Sequence, residues 1–210
     1  RAAVKTFLPQ VLAQYPSDVV LANGENCAGG HGFTMKVYQE LKGLGIHGFT
    51  SGNHVWDKKD FLHEIDQCAD VIRPANYSHR QPGRGHMLLR VPGVDTPVGV
   101  INVAGRVYMG LANDPFPAVD DAIEALSKDT KIMLLDMHGE TTSEKQAMGW
   151  HVDGRVSAMV GTHTHVQTAD ERILLGGTGF ITDVGMCGGQ NGVIGVEKEA
   201  ALEGLLTGVK

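Results

Sequence analysis

The sequence predicts an α/β layered domain, with sheet packed against helices. Two observations carry that expectation: short apolar runs alternate with segments of helical periodicity, and every predicted strand feeds a polar loop. The 28 glycines cluster between the apolar segments, as tight strand-to-helix loops require. Loops of that kind are where α/β enzymes keep their sites.

The elements follow in order. Val4, Phe7, Leu8, Val11 and Leu12 recur at helical spacing, and Val19 to Ala22 reads as a buried strand. Thr34 is a good N-cap for a helix carrying Val37, Tyr38, Leu41 and Leu44, with Gly45 placed to end it. Ile46 to Thr50 is a short strand delivering Gly52-Asn53-His54, and Asp57 to Cys68 reads as a helix. Met87 to Val91 and Val98 to Val103 are two β-rich runs separated by a turn at Pro92-Gly93. The second half repeats the alternation: helix from Phe116 to Leu126, strand from Ile132 to Asp136, helix from Ser143 to Gly149, strand from Val156 to Val160. Ile173-Leu174 and Gly179 to Thr182 read as later strands, which would make the sheet partly antiparallel or double. There is no internal repeat, linker or low-complexity stretch, so residues 1–210 read as one domain.

Composition narrows the function. A net charge of −6 argues against a stable nucleic-acid complex or a membrane-surface role, because either wants a basic face. No apolar run approaches the length needed to span a bilayer, and the segment starting at Arg1 is amphipathic, unlike a signal peptide. Cys27, Cys68 and Cys187 are odd in number and lack zinc-knuckle spacing, so they read as reduced thiols. The expected location is the cytoplasm.

Four strand ends deliver metal-type ligands: Asn23-Gly24-Glu25-Asn26, Gly52-Asn53-His54, Asp136-Met137-His138 and Gly161-Thr162-His163-Thr164-His165. The repetition is the signal, since one histidine after a strand is usually an ordinary polar residue. His163 and His165, two apart in a segment expected to be extended, would point to the same side. Mixed carboxylate, amide and imidazole ligands suit manganese, iron or zinc, and the absence of thiolates argues for a catalytic centre over a structural one. Glu25 is the carboxylate assigned to bridge two ions.

These strings, with Val55-Trp56-Asp57 after the second, Arg73-Pro74-Ala75-Asn76-Tyr77, Thr142-Ser143-Glu144-Lys145 and the continuation Val166-Gln167-Thr168-Ala169-Asp170, resemble the YmdB-like branch of the calcineurin-like metallophosphoesterases. The resemblance covers nearly the whole chain. It implies a four-layered αββα sandwich with mixed sheets, and hydrolysis of small phosphodiesters with 2',3'-cyclic nucleotides as characteristic substrates. It further implies that Glu25 bridges two divalent ions, that Asn53, His138 and His163 complete one, and that His165, with Asn26 as the weaker candidate, binds the other. His54 would protonate the leaving ribose oxygen after attack by a hydroxide bridging the ions. Members begin with a strand ending in a Gly-Asp motif whose Asp is also a ligand; here Arg1 corresponds to the end of that region, and the C-terminal strands are expected beyond Lys210. The chain therefore reads as a shortened domain, and a homo-oligomer is compatible with it.

Several residues have plainer readings. His31 reads as a solvated loop histidine, and His47, His63, His79, His86 and His151 as surface or core residues. Trp56 is expected to pack under its loop, and Ser143-Glu144 to cap the helix they open. Arg73 and Arg106 are expected to be surface residues or ion-pair partners. Asp136 either orients His138 or ends a strand, and Asp183 either lines the site or caps Gly185. The rival functions are a regulatory protein that has lost a metal and a metallohydrolase of another substrate class, such as a deacetylase. The latter would want a glutamate general base in a His-Glu-x-x-His arrangement, which is absent.

Overall fold

A computed structural model describes residues 1–209. Helix α1 (Ala2–Gln14) forms where the apolar spacing predicts it, with Val4 and Leu8 against the first helical layer and Phe7 and Val11 exposed. Strands β1 (Leu21–Asn23) and β2 (Gly48–Thr50) pair in parallel, joined by helix α2 (Met35–Lys42). Thr34 is extended and its hydroxyl accepts from the Val37 amide at 3.3 Å, filling one of the donors a helix start leaves unpaired. Gly45, at φ +94°, turns the chain into β2, a conformation that a side chain would oppose.

The helix expected from Asp57 to Cys68 is much shorter. Only α3 (Phe61–Glu64) and one 3-10 turn, Ile65–Gln67, are helical. Residues 53–60 form turns, in which the Asp57 carboxylate is engaged by the rings of His54 and His31.

A six-stranded sheet fills the rest: β3 (His86–Leu89), β4 (Val98–Ala104), β5 (Met133–His138), β6 (Ala158–Thr162), β7 (Arg172–Ile173) and β8 (Gly179–Ile181). The order is β3-β4-β5-β6-β8-β7, parallel from β4 to β8 with an antiparallel strand on each edge, so the sheet is mixed as expected. Helices α4 (Pro115–Leu126) and α5 (Thr142–Val152) are the crossovers after β4 and β5. Asp114 caps α4 by accepting from the Phe116 amide at 3.1 Å, and Pro115 occupies the first turn, where its missing donor costs nothing.

Alternation along the strands builds four layers. Ile101, Val103, Met133, Leu135, Met137 and Met159 turn outward to bury Val119, Ile123, Leu126, Met148 and Val152 of α4 and α5. On the far side, Phe49 of β2 buries Val37 and Leu41 of α2 and Phe61 of α3. Between the sheets the contact changes character along its length. Leu21, Ile72, Met87, Val98 and Val100 form an apolar floor, whereas Asn23, Thr50, Asn102, Asp136, His138 and Thr162, at the carboxyl ends of the strands, are polar. The four-layered α/β expectation holds.

Past β8 the chain forms a hairpin of β9 (Gly192–Val193) and β10 (Val196–Glu197), then α6 (Lys198–Thr207), which buries no residue. Two-residue strands are below the length at which alternation can be read in a sequence. No helix among the described residues is long and apolar enough to cross a membrane.

Candidate metal centre

The polar end of the inter-sheet contact gathers ligand atoms from four loops. His138, at the end of β5, is 1% exposed, and its Nε2 lies 3.0 Å from Glu25 Oε1, 2.9 Å from Asn53 Oδ1 and 3.1 Å from His163 Nδ1. Ligand atoms of Glu25, His138 and His163 all fall within 4.8 Å of one another. Glu25 is itself only 2% exposed, held by its backbone amide on Asn23 Oδ1 and by the His54 amide, which donates to Oε1 at 2.9 Å.

Hydrogen-bond partners on the outer nitrogens set which ring atom of each histidine faces the centre. The Thr162 hydroxyl donates to Asp136 Oδ1 at 2.7 Å, so its oxygen accepts from His138 Nδ1 at 2.9 Å, which turns Nε2 toward the centre. Glu140 Oε2 accepts from His163 Nε2 at 3.0 Å, which turns Nδ1 toward the centre. The Ile194 carbonyl can only accept, so His165 donates through Nδ1 at 2.9 Å and presents Nε2. A neutral carbonyl oxygen, a carboxylate oxygen and two imidazole nitrogens thus converge on one point. That donor set fits a divalent cation.

Electrostatics point the same way. Burial pushes the Glu25 carboxyl up, but the His138 contact and the His54 amide outweigh it, and its pKa lies below the ordinary value. Burial, reinforced by His138, lowers the His163 pKa, keeping the ring neutral and able to ligate near pH 7.

Glu25 divides its oxygens between two sides. Asn26 Nδ2 lies 3.4 Å from Oε2 and 3.0 Å from His165 Nε2, while Asn26 Oδ1 is buried without a hydrogen-bond partner among the described residues. A buried orphan acceptor is costly unless something fills it. All six ligand candidates named from the sequence (Glu25, Asn26, Asn53, His138, His163 and His165) are therefore linked by this set of close contacts.

The route by which the two loop histidines reach it differs from expectation. Strand β6 ends at Thr162, and His163 and His165 adopt φ of +104° and +65°, so the segment is a tight loop, not an extended run. The intervening Thr164 is tied by its amide and hydroxyl to Asp183 Oδ2 at 3.2 and 2.8 Å, and Asp183 is paired with buried Lys145. Asp183 also accepts from the Gly185 amide, the capping reading, and reaches the site only through Thr164.

His54 sits at the rim with its side chain 42% exposed and Nδ1 2.8 Å from Asp57 Oδ2. His31 is a solvated loop histidine, as expected, with its Nδ1 3.2 Å from the same carboxylate oxygen. Ser143 and Glu144 do not cap the helix as expected: α5 starts without a side-chain cap hydrogen bond, and the Glu144 carboxylate instead receives the Arg106 and Val107 amides at 3.0 Å, fixing the loop after β4. Arg73 is buried and donates to the carbonyls of Pro74, Gln81 and Pro82, while Arg106 faces Asp114 at 3.5 Å. Trp56 packs against the α2–α3 core, as expected, with its indole N–H on Gln81. Sequence reasoning missed Asp57, Glu140 and Thr162 as partners of site histidines, although each adjoins a motif it had identified.

Residues 1–210 match the sequence profile of a family described as YmdB-like protein. The chain belongs to this family. It is 43% identical over 203 residues to the 2',3'-cyclic-nucleotide 2'-phosphodiesterase of Bacillus subtilis (strain 168), covering 97% of this YmdB-like chain and 76% of that protein. Among solved structures, a hypothetical protein from Thermus thermophilus superposes with a TM-score of 0.89 at 40% identity, covering 99% of this chain and 79% of that one. A novel phosphatase from Mycoplasma pneumoniae gives 0.88 at 34%, covering 98% and 74%. The YmdB-like chain thus spans about three quarters of the length of each of these relatives.

Proposed function

We propose that this chain is a metal-dependent phosphodiesterase acting on small phosphodiesters, with 2',3'-cyclic nucleotides as the preferred class. The observation that carries this reading is the convergence of Glu25, Asn53, His138 and His163, with the outer nitrogens of the two histidines held by Thr162 and Glu140. The similarity to a 2',3'-cyclic-nucleotide 2'-phosphodiesterase supports the substrate class. These four residues would hold one divalent ion, and Glu25 Oε2, Asn26 and His165 a second, iron or manganese in preference to zinc. Bound ions would supply an activated water and the positive charge that a phosphoryl transition state requires.

The chain's own residues do the rest. Asp57 holds His54 by Nδ1; in the doubly protonated ring Nε2 also carries a proton, and it is this one that would pass to the departing ribose oxygen. The outward half of the His54 ring is open to solvent, from which that proton is restored. Burial of Glu25 and His138 excludes bulk water from the ligand cluster while the His54 side remains accessible to a nucleotide. Ligands drawn from both halves of the chain support reading residues 1–210 as one domain, and the charge and thiol content support a cytoplasmic setting without a stable nucleic-acid complex. A homo-oligomer is compatible with this arrangement.

Hydrolysis of 2',3'-cyclic nucleotides, 3',5'-cyclic nucleotides and a generic aryl phosphodiester, with manganese or iron supplied, tests the proposal. Preference for the 2',3'-cyclic substrates supports it. If the protein retains no metal and turns over none of them, the regulatory reading replaces it.

A further inference from the structure

The loop between β4 and α4 is fastened at three points and left bare at its tip. The Gly105 amide donates to the His138 carbonyl at 2.9 Å, so the loop starts beside a candidate ligand. Glu144 then receives the Arg106 and Val107 amides at 3.0 Å. Buried Asn76 closes the base of the loop: its side-chain amide donates to the Ala104 and Asn113 carbonyls at 2.7 and 2.8 Å, and its Oδ1 accepts the Ala104 amide at 2.8 Å.

This frame presents Tyr108, which is 88% exposed, with Val107 and Leu111 also exposed on the same loop. Tyr108 has a φ of +60° and is the third residue of a turn closed by the Met109 amide on the Arg106 carbonyl at 3.3 Å. Glycine or asparagine suits such a position, and a bulky side chain is strained there. An aromatic ring offsets strain by burying its face, and this ring buries little. Uncompensated strain of that kind gathers at ligand contacts. Three residues of chain separate Tyr108 from Gly105, a reach of about 10 Å at most, so the ring stays close to the His138 end of the sheet.

We propose that Tyr108 is a specificity-determining residue, the platform on which the base of a nucleotide stacks while its phosphate lies at the metal centre. Every base has a π-face, so one exposed ring serves all of them, and a loop already fastened loses little freedom on binding. The inference rests on the phosphodiesterase reading for the identity of the ring that docks. The two fail separately: hydrolysis of cyclic nucleotides tests that reading, whereas the platform is tested by the affinity for a nucleotide against that for a phosphate without a base.

The experiment is a calorimetric titration of manganese-supplied protein with adenosine 3'-monophosphate and with ribose 5-phosphate, which has no base. Wild type holds the nucleotide more tightly. Tyr108→Gly weakens the nucleotide about tenfold more than the sugar phosphate, within the range for a lost base–aromatic stack. The same variant unfolds in denaturant no earlier than wild type, because glycine accepts the positive φ. Tyr108→Phe keeps the ring face and stays within about twofold of wild type for both ligands. A wild type that holds the nucleotide no more tightly than the sugar phosphate, a glycine variant that weakens both alike, or a phenylalanine variant as impaired as the glycine overturns the inference. A glycine variant with unaltered nucleotide affinity and a smaller apparent mass on gel filtration also overturns it, and makes the loop a contact between copies of the chain.

Discussion

Lys145 Nζ lies 2.6 Å from Asp183 Oδ2, both side chains are fully buried, and the same carboxylate oxygen holds Thr164 between the two loop histidines. The ion pair therefore sits between α5 and the loop that carries His163 and His165, and its two ends are not equivalent. Asp183 has three other donors, from Thr164 and Gly185, whereas Lys145 depends on Asp183.

Asp183→Ala is expected to cost about 3–5 kcal/mol, because it strands a buried ammonium, and to release the His163–His165 loop. Lys145→Met is expected to cost less, since Asp183 keeps its other donors. Denaturant unfolding of the metal-free variants measures both. Equal costs would show that the pair, not the carboxylate hub, is what the fold needs.

Gly52 and Gly139 flank the site and predict opposite outcomes. A Cβ at Gly52 would run into the His138 ring, while one at Gly139 meets nothing nearer than 3.7 Å. Gly52→Ala should therefore abolish tight metal binding, and Gly139→Ala should leave it within about twofold of wild type, since the contact there is ordinary packing. Metal content after gel filtration compares them.

His54→Ala should lower kcat by about 10²–10⁴ with metal retained, the range expected for loss of a general acid. Asp57→Asn keeps the ring's neighbour but weakens its hold and should lower kcat by about tenfold, the lower reach of such positioning effects. A His54→Ala enzyme with full kcat would remove the proton-donor role.

His86, on the edge strand β3, has its pKa lowered by burial and then by Arg84. A histidine with a depressed folded pKa binds its proton more readily unfolded. Stability is therefore highest above the ordinary histidine value and is lost as pH falls from there toward the folded pKa. His86→Gln should flatten that part of the stability-against-pH curve of metal-free protein. A curve of unchanged slope would show that His86 does not contribute to it.

The layers and the clustering of the candidate ligands were legible because apolar runs of four or five residues must be buried, and the polar residues directly after them are carried to one edge. Even there the boundaries moved: the run Ile132 to Asp136 predicts a strand, and β5 continues to His138, whose side chain closes the polar end of the sheet contact. The segment from Asp57 to Cys68 misled because its apolar spacing is helical, while Asp57 is bound by two histidines that hold the preceding chain in turns. Lys145 with Asp183, and Glu140 with His163, were not legible, because such pairs depend on how separate loops meet after β5, β6 and β8 are in register. The bends at His163 and His165 were hidden for the same reason: a positive φ at histidine is imposed by Asp183 holding Thr164 from outside the segment.

The central claim is that Glu25, Asn53, His138 and His163 hold a divalent ion. A calorimetric manganese titration of chelator-treated protein tests it most directly, with His138→Ala alongside. The account predicts at least one tightly held ion per chain in the wild type and loss of that ion in the variant; a wild type that binds less than one ion per chain, or a variant that binds as tightly, would contradict it.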